Sequence, residues 1–234
     1  MASRSIPART SGGQAVNADF LIGAIPAMLE GLKITVLATL AAAVVAFVVG
    51  LLVASIQVLK IPVLNPVITA IVLVIRNTPL LAQLFFLFYV LPRFGVSFPP
   101  FLIGVIALGL HFSCYAAEAF RGGFLAVPRG QWEAAKVLGL PMLTTLGRVI
   151  LPQAIPPVIP ALANLFISMF KDSAILSAIT VLELLGTTRN LAAQSFQYTT
   201  LFTAMGLTYL AISLPASFAV RLLERRHTRR EVRT

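Results

Sequence analysis

A stretch without a single charge runs from Ile34 to Leu59, closed by Lys33 on one side and Lys60 on the other. The hydrocarbon core of a bilayer needs roughly 20 apolar residues per helical span, so this stretch is long enough to cross it. Inside lipid every backbone N–H and C=O must find a partner in the protein, which only α-helices and closed barrels achieve. An unbroken apolar run does not fit the inside–outside alternation of a barrel strand. The pattern recurs over Val67 to Leu91, Phe101 to Phe120, Ile155 to Phe170 and Thr199 to Val220. Charged residues make up only 11% of the chain, against about 25% in soluble domains. The sequence therefore predicts an all-α integral membrane protein of about five transmembrane helices. Ile22 to Glu30 reads as an amphipathic turn at the interface ahead of the first span. Ile61-Pro62, Asn65-Pro66, Pro92 to Gly95 and Pro99-Pro100 mark turns. Pro79 interrupts the second span. Lys171 to Asn190, mixed in polarity, predicts one or two short helices, and no internal repeat is evident.

The net charge of +10 invites a nucleic-acid reading, but its placement argues for a membrane topology signal instead. Six arginines (Arg221, Arg225, Arg226, Arg229, Arg230 and Arg233) follow the last span, where basic residues mark a cytoplasmic end. With that tail and the loop after the third span inside, Lys60, Arg121, Arg129, Lys136 and Arg148 join them. Eleven of the 18 Lys and Arg are then cytoplasmic. Arg4, Arg9 and Lys33 oppose this count, yet the balance predicts an external N-terminus and an internal C-terminus. The expected organisation is a polar external lead-in over 1–20, a membrane domain over 21–220 and a basic cytoplasmic tail over 221–234. The lead-in has no apolar h-region and does not read as a cleaved signal peptide. Cys114 is the single cysteine, so the chain has no internal disulfide.

The longest polar interruption, Arg129 to Pro152, must be a loop outside the bilayer. Its first part predicts a short amphipathic helix with Trp132, Ala135, Val137, Leu138 and Leu140 as apolar surface and Glu133 and Lys136 on a solvated edge. Gly139 offers a helix stop and Pro141 forbids continuation. Glu133-Ala134-Ala135, then Gly139 after three residues, then Leu151-Pro152 resembles the EAA signature of ABC-transporter permease subunits. That pattern is EAA, three residues, Gly, nine residues, Ile, one residue, Leu-Pro. This chain keeps the spacing and has Val149 at the Ile position.

Ionisable residues inside membrane spans are costly and so are functional candidates. Arg76 opens the run Arg76-Asn77-Thr78-Pro79-Leu80-Leu81-Ala82-Gln83-Leu84-Phe85, which resembles the R-G-T-P-L-L-x-Q-L-F segment of the polar amino acid subfamily, with Asn77 in place of Gly. Arg76 could face the translocation path, tie two helices together or snorkel to the interface. His111, Cys114 and Glu118 share one helix face, but three ligands on one helix cannot surround Zn²⁺ and no second cluster exists. Tyr115 to Gly123 instead resembles the A-Y-x-A-E-x-x-R-G-G lead-in to the EAA loop. The resemblance places Glu118 near a cytoplasmic gate, paired with Arg121 or Arg76. Lys171-Asp172-Ser173 resembles the K-D-(T/S)-S-L segment, and Asn164 and Ser168 precede it at helical spacing. Local ion pairing and helix packing account for these residues equally well.

The resemblance implies a type I ABC importer (MetI-like) permease fold in the bacterial inner membrane, with a cytoplasmic coupling helix inside a coupling loop over 122–152. Gln131, Trp132, Glu133, Ala134, Ala135, Gly139, Leu151 and Pro152 would couple it to the ATPase. Arg76, Thr78, Gln83, Glu118, Asn164, Ser168, Lys171 and Asp172 would line the pathway or gate. The implied partners are a second permease subunit, two ABC ATPase subunits and an extracytoplasmic amino acid binding protein, with no nucleic acid. No G-x-x-x-x-G-K-[ST] phosphate loop is present, so this chain is no ATPase, and ATP and Mg²⁺ belong to the partner. The competing expectation is a gradient-driven secondary carrier or channel, which would need internal repeats or unwound helix pairs at the midplane.

Overall fold

The computed structural model describes residues 18–231, and side chains within 19–222. The lead-in before residue 18 and the last three residues of the basic tail lie outside the described residues. The elements are α1 (Ala18–Leu59), α2 (Leu64–Arg76), α3 (Leu80–Phe85), α4 (Pro100–Ala126), α5 (Arg129–Val137), α6 (Met142–Thr144), α7 (Leu151–Asp172), α8 (Leu184–Ser195) and α9 (Tyr198–Glu231). A π-turn (Phe86–Val90) and a 3₁₀ turn (Leu91–Phe94) extend α3. A π-turn (Thr145–Ile150) joins α6 to α7, and a 3₁₀ turn (Ser173–Ile179) continues α7. Four helical segments are long and apolar enough to cross a membrane, and the bent pair α2–α3 supplies a fifth.

Small residues set how closely α1 and α4 pack. Ala38, Ala42, Ala46, Gly50 and Ala54 recur every four residues along one face of α1, and the four alanines are fully buried. A Cβ on Gly50 would sit 2.7 Å from Ala116 Cβ and 2.9 Å from the Ser113 carbonyl, and one on Gly109 would collide with Val45. Backbones that approach so closely gain dispersion contact, the main attraction between helices in lipid. Gly123 repeats the device between α4 and α7, where a Cβ would run into the Ala154 carbonyl at 2.5 Å.

Several boundaries differ from the expectation. Ile22 to Glu30 is not a separate interfacial turn but part of α1, which continues through Pro26 for 42 residues, about 60 Å. Ala24 and Met28 are buried against Leu184, Ala192 and Leu201, and this packing holds the outer third helical. The second span is interrupted at Pro79, as expected, and its halves stand at 104° to each other. The third span runs past Phe120 to Ala126, because Phe124 and Gly123 belong to the packed seam with α7. The fourth begins before Ile155, since Pro152 falls in the first turn of α7, where its missing N–H costs nothing.

One buried carboxylate ties the end of the bundle that carries α8. Glu183 is fully buried and caps α8, its oxygens accepting from the amides of Leu185 (2.9 Å) and Gly186 (2.7 Å). Thr35 Oγ1 on α1 (3.3 Å) and the Tyr209 hydroxyl on α9 (3.2 Å) also reach the carboxylate. The Leu184 amide in turn donates to Thr35 Oγ1 at 3.0 Å. Glu183→Ala would strand these donors and is expected to destabilise the fold by about 2–4 kcal/mol, read as a fall of several degrees in unfolding temperature in nanodiscs. An unchanged unfolding temperature would contradict the role of this knot.

Candidate functional site

The polar chain ends assemble three groups of side chains, beginning at the bend between α2 and α3. Asn77 stands where the resemblance expects Gly, yet its φ of −94° is open to any residue. Its side-chain amide donates to the Leu73 carbonyl at 2.7 Å and caps the helix end. Thr78 Oγ1 donates back to the carbonyls of Val74 (3.0 Å) and Ile75 (3.2 Å). Pro79 then starts a new direction. The carbonyls exposed by the break are collected by Gln83, whose Nε2 donates to Ile75 O (2.7 Å), Thr78 O (3.1 Å) and Thr78 Oγ1 (2.7 Å). Gln83 Oε1 lies 3.3 Å from His111 Nδ1 on α4. Thr78 and Gln83 thus form the clasp of the bend, which His111 anchors, and both also border a cavity of about 410 Å³.

The second group joins α2 to α4. Glu118 pairs with both arginines expected for it: Arg121 Nη2 donates to Oε2 at 2.6 Å, and Arg76 Nη1 lies 3.5 Å from Oε1. The Arg76 guanidinium also sits 5.3 Å from the centre of the Tyr115 ring, within cation–π range. Two cations on one carboxylate leave the site net positive. Arg76, Glu118, Tyr115 and Gln57 border a cavity of about 470 Å³, and the buried Gln57 Oε1 has no hydrogen-bond partner among the described residues. Gln57 was not singled out in the sequence, where its signal is polarity within an apolar run, and Tyr115 entered as the first residue of the lead-in segment with no role of its own.

The third group is the end of α7. Lys171 and Asp172 are exposed and border a cavity of about 530 Å³ with Leu80 and Leu81 of α3. Asp172 lies within electrostatic reach of His111, which connects this group to the clasp. Ser168 and Asn164 occupy the same face of α7 one and two turns earlier.

Past the end of α4, α5 is gripped on one side and bare on the other. Ala135 is buried, and Trp132 packs on the cluster of Phe120, Phe124, Ile150 and Ala154. Gln131 Oε1 accepts from Gln153 Nε2 on α7 at 3.3 Å. Gly139 adopts φ +68°, the left-handed conformation glycine favours. Its amide reaches Lys136 O and that of Leu140 reaches Ala135 O, both at 3.1 Å, closing the helix in a Schellman motif. Leu151 and Val149 pack on the same cluster. Val137 and Leu138, read in the sequence as apolar surface, point outward, 86% and 74% exposed, beside exposed Glu133, Ala134 and Lys136. The α5 register that buries Trp132 and Ala135 forces this.

Residues 46–229 match the family of binding-protein-dependent transport system inner membrane components. A probable amino-acid ABC transporter permease of Sinorhizobium fredii is 42% identical over 205 residues, covering 88% of this chain and 89% of that protein. The L-cystine transport system permease of Bacillus subtilis is 41% identical over 161 residues, covering 68% of this chain and 69% of its own. Among solved structures, an amino acid ABC transporter with histidines superposes with a TM-score of 0.80 at 34% identity, covering 90% of this chain and 99% of that one.

Gln83→Leu would leave the Ile75 and Thr78 carbonyls without their clasp. The expected cost is about 1–3 kcal/mol, measured as a lowered unfolding temperature in nanodiscs. Gln83→Glu loses the same donors and should behave like Leu. Wild-type melting in both variants would contradict the clasp.

Proposed function

Starting from a chain that belongs to the family of binding-protein-dependent transport system inner membrane components, we propose a multi-pass transmembrane subunit of an ATP-driven importer of polar amino acids. The observation that carries the coupling role is the bare face of α5. Exposed Val137 and Leu138 at a polar chain end form an apolar patch rimmed by Glu133 and Lys136, the composition of a protein docking surface. Gln131, Trp132, Ala135, Gly139, Leu151 and Pro152 hold this helix on the bundle, while Glu133 and Ala134 belong to the presented face. The occupant is an ABC ATPase subunit, which binds ATP and Mg²⁺ and hydrolyses it in place of this chain. Two such subunits act on a pair of permeases, either two copies or this chain with a sister.

The N-terminus lies outside and the C-terminus inside, in keeping with the sequence reading that assigns eleven of the 18 basic residues to the cytoplasmic side. An extracytoplasmic binding protein delivers the amino acid to the opposite end. The polar cargo then meets charged groups on its way: Lys171 and Asp172 first, and the Arg76–Glu118–Arg121 cluster nearer α5. A zwitterion suits a path that offers both signs of charge. Arg76 answers its carboxylate, while Asp172 and Glu118 answer its ammonium. Closure of the ATPases on ATP draws the α5 helices together and turns the cavity outward, and hydrolysis resets it. A complete gradient-driven carrier would need internal repeats or unwound helix pairs at the midplane, and no internal repeat is evident in the sequence.

The test is co-purification with the co-encoded ATPase and hydrolysis by the complex in nanodiscs. Glu133→Arg and, separately, Val137→Asp should each cut association and binding-protein-stimulated hydrolysis by about tenfold or more, a loss of about 1.4 kcal/mol or more at the contact. Both side chains are exposed, so neither change should lower the unfolding temperature of this chain. Undiminished co-purification would overturn the coupling role. Glu118→Gln leaves two arginines facing a neutral amide and should reduce uptake several-fold with assembly intact. Uptake at the wild-type rate would remove Glu118 from the path.

A further inference from the structure

α8 lies at the end of the bundle remote from α5. It packs where α1 carries Ala24, Met28 and Gly31, whereas α5 sits near Ala54 to Leu59. Leu184, Thr188 and Ala192, four residues apart, bury one face of α8. Gly186, Arg189, Asn190 and Ala193, at the spacing of the opposite stripe, border a cavity of about 500 Å³. Thr180 and Tyr198 close its sides. Gly186 packs tightly against the Val181 carbonyl, and among the cavity's lining residues Arg189 is the one that carries a charge, with Asn190 beside it in sequence.

The charge of this cavity is one-sided. Arg189 is exposed and makes no ion pair among the described residues. Among the described residues, no carboxylate borders the cavity. Glu183, the nearest in sequence, is fully buried and committed to the α8 amides, Thr35 and Tyr209. Lys171 and Asp172 belong to the adjoining cavity, which shares Ser177 with this one. The backbone is also held in an uncommon form at both ends of α8. Thr180 (φ 68°) and Phe196 (φ 58°) adopt the left-handed conformation without being glycine, each costing about 1–3 kcal/mol. Volumes of roughly 300–1,000 Å³ suit a small ligand. A planar guanidinium with an amide beside it offers the forked donors that a carboxylate takes up.

We propose that this cavity is a carboxylate-binding site on the extracytoplasmic side, with Arg189 as its charge and Asn190 as its second donor. The proposal rests on the importer reading and on the orientation that goes with it. The carboxylate has two sources: a free amino acid held before it enters the path, or an Asp or Glu side chain of the docked binding protein.

The test uses the assembled permease–ATPase complex in nanodiscs, as wild type, Arg189→Gln and Arg189→Lys. One arm measures binding of radiolabelled L-histidine and L-cystine to the complex alone. The other titrates ATPase stimulation with the co-encoded binding protein at low and high salt. Arg189→Gln should weaken binding in one arm by about tenfold, the loss of one charge-assisted pair, with Arg189→Lys falling between it and wild type. Loss in the first arm identifies a free amino acid. Loss in the second, with a flattened salt dependence, identifies a protein side chain. Wild-type behaviour of Arg189→Gln in both arms overturns the site while leaving the importer reading standing. A wild-type complex without ATP-dependent uptake overturns the importer reading, and this site with it.

Discussion

A polar group in hydrocarbon must be partnered, and each departure from straight helix in this protein is shaped by that requirement. The 104° break between α2 and α3 exposes carbonyls that a continuous helix would have used. Asn77, Thr78 and Gln83 gather them, and His111 fixes the clasp to α4. The irregular segment between α7 and α8 is closed in the same manner by Glu183, with donors from three helices. With its backbone satisfied, the bend can be rigid, and a rigid bend sets where Arg76 stands. The Arg76–Glu118 contact is therefore a consequence of the Gln83 clasp as much as of its own attraction, which is modest for side chains about 40% exposed.

The two ends of the bundle follow opposite logic. At the α5 end, Trp132 and Ala135 anchor a short helix whose outer face is apolar and unsatisfied, a surface shaped for another protein. At the α8 end, the helix is anchored through a carboxylate and small residues and offers a polar, positively charged cavity. Between them run close-packed seams of α1 with α4 and of α4 with α7, where Gly50, Gly109 and Gly123 let backbones touch. Such seams resist shear within a bundle. In the proposed cycle, motion at α5 is accordingly carried by the bundle as a body.

The fold class was legible because charge-free runs longer than a bilayer admit one answer. The loop at Gly139 and Pro141 was equally plain, since both residues mark a helix end by backbone chemistry alone. The break at Pro79 could be read, but not its angle, which depends on how α3 packs against α4. The outer third of α1 was misread because Pro26 and the Glu30–Lys33 pair look like an interruption, while the packing that holds it helical comes from α8 and α9. Periodicity gave α5 an apolar surface but could not say which part faces the chain and which faces away, so the split between Trp132 and Ala135 on one side and Val137 and Leu138 on the other needed the structure. The pairing of Glu118 with Arg121 follows from spacing on one helix, whereas that with Arg76 needed the bend. Glu183 carried no local signal: a lone acid before an apolar helix looks like a surface cap until Thr35 and Tyr209 arrive from distant parts of the chain.

The central claim is that this chain moves its cargo only when an attached ATPase turns over. The direct measurement is uptake of radiolabelled L-amino acids into proteoliposomes that contain this permease with its co-encoded ATPase and binding protein. The lumen holds ATP and Mg²⁺, a non-hydrolysable analogue, or neither, each with and without an imposed ion gradient. The account predicts uptake only with hydrolysable ATP and binding protein together, and indifference to the gradient. Uptake driven by the gradient in the absence of ATP would contradict it.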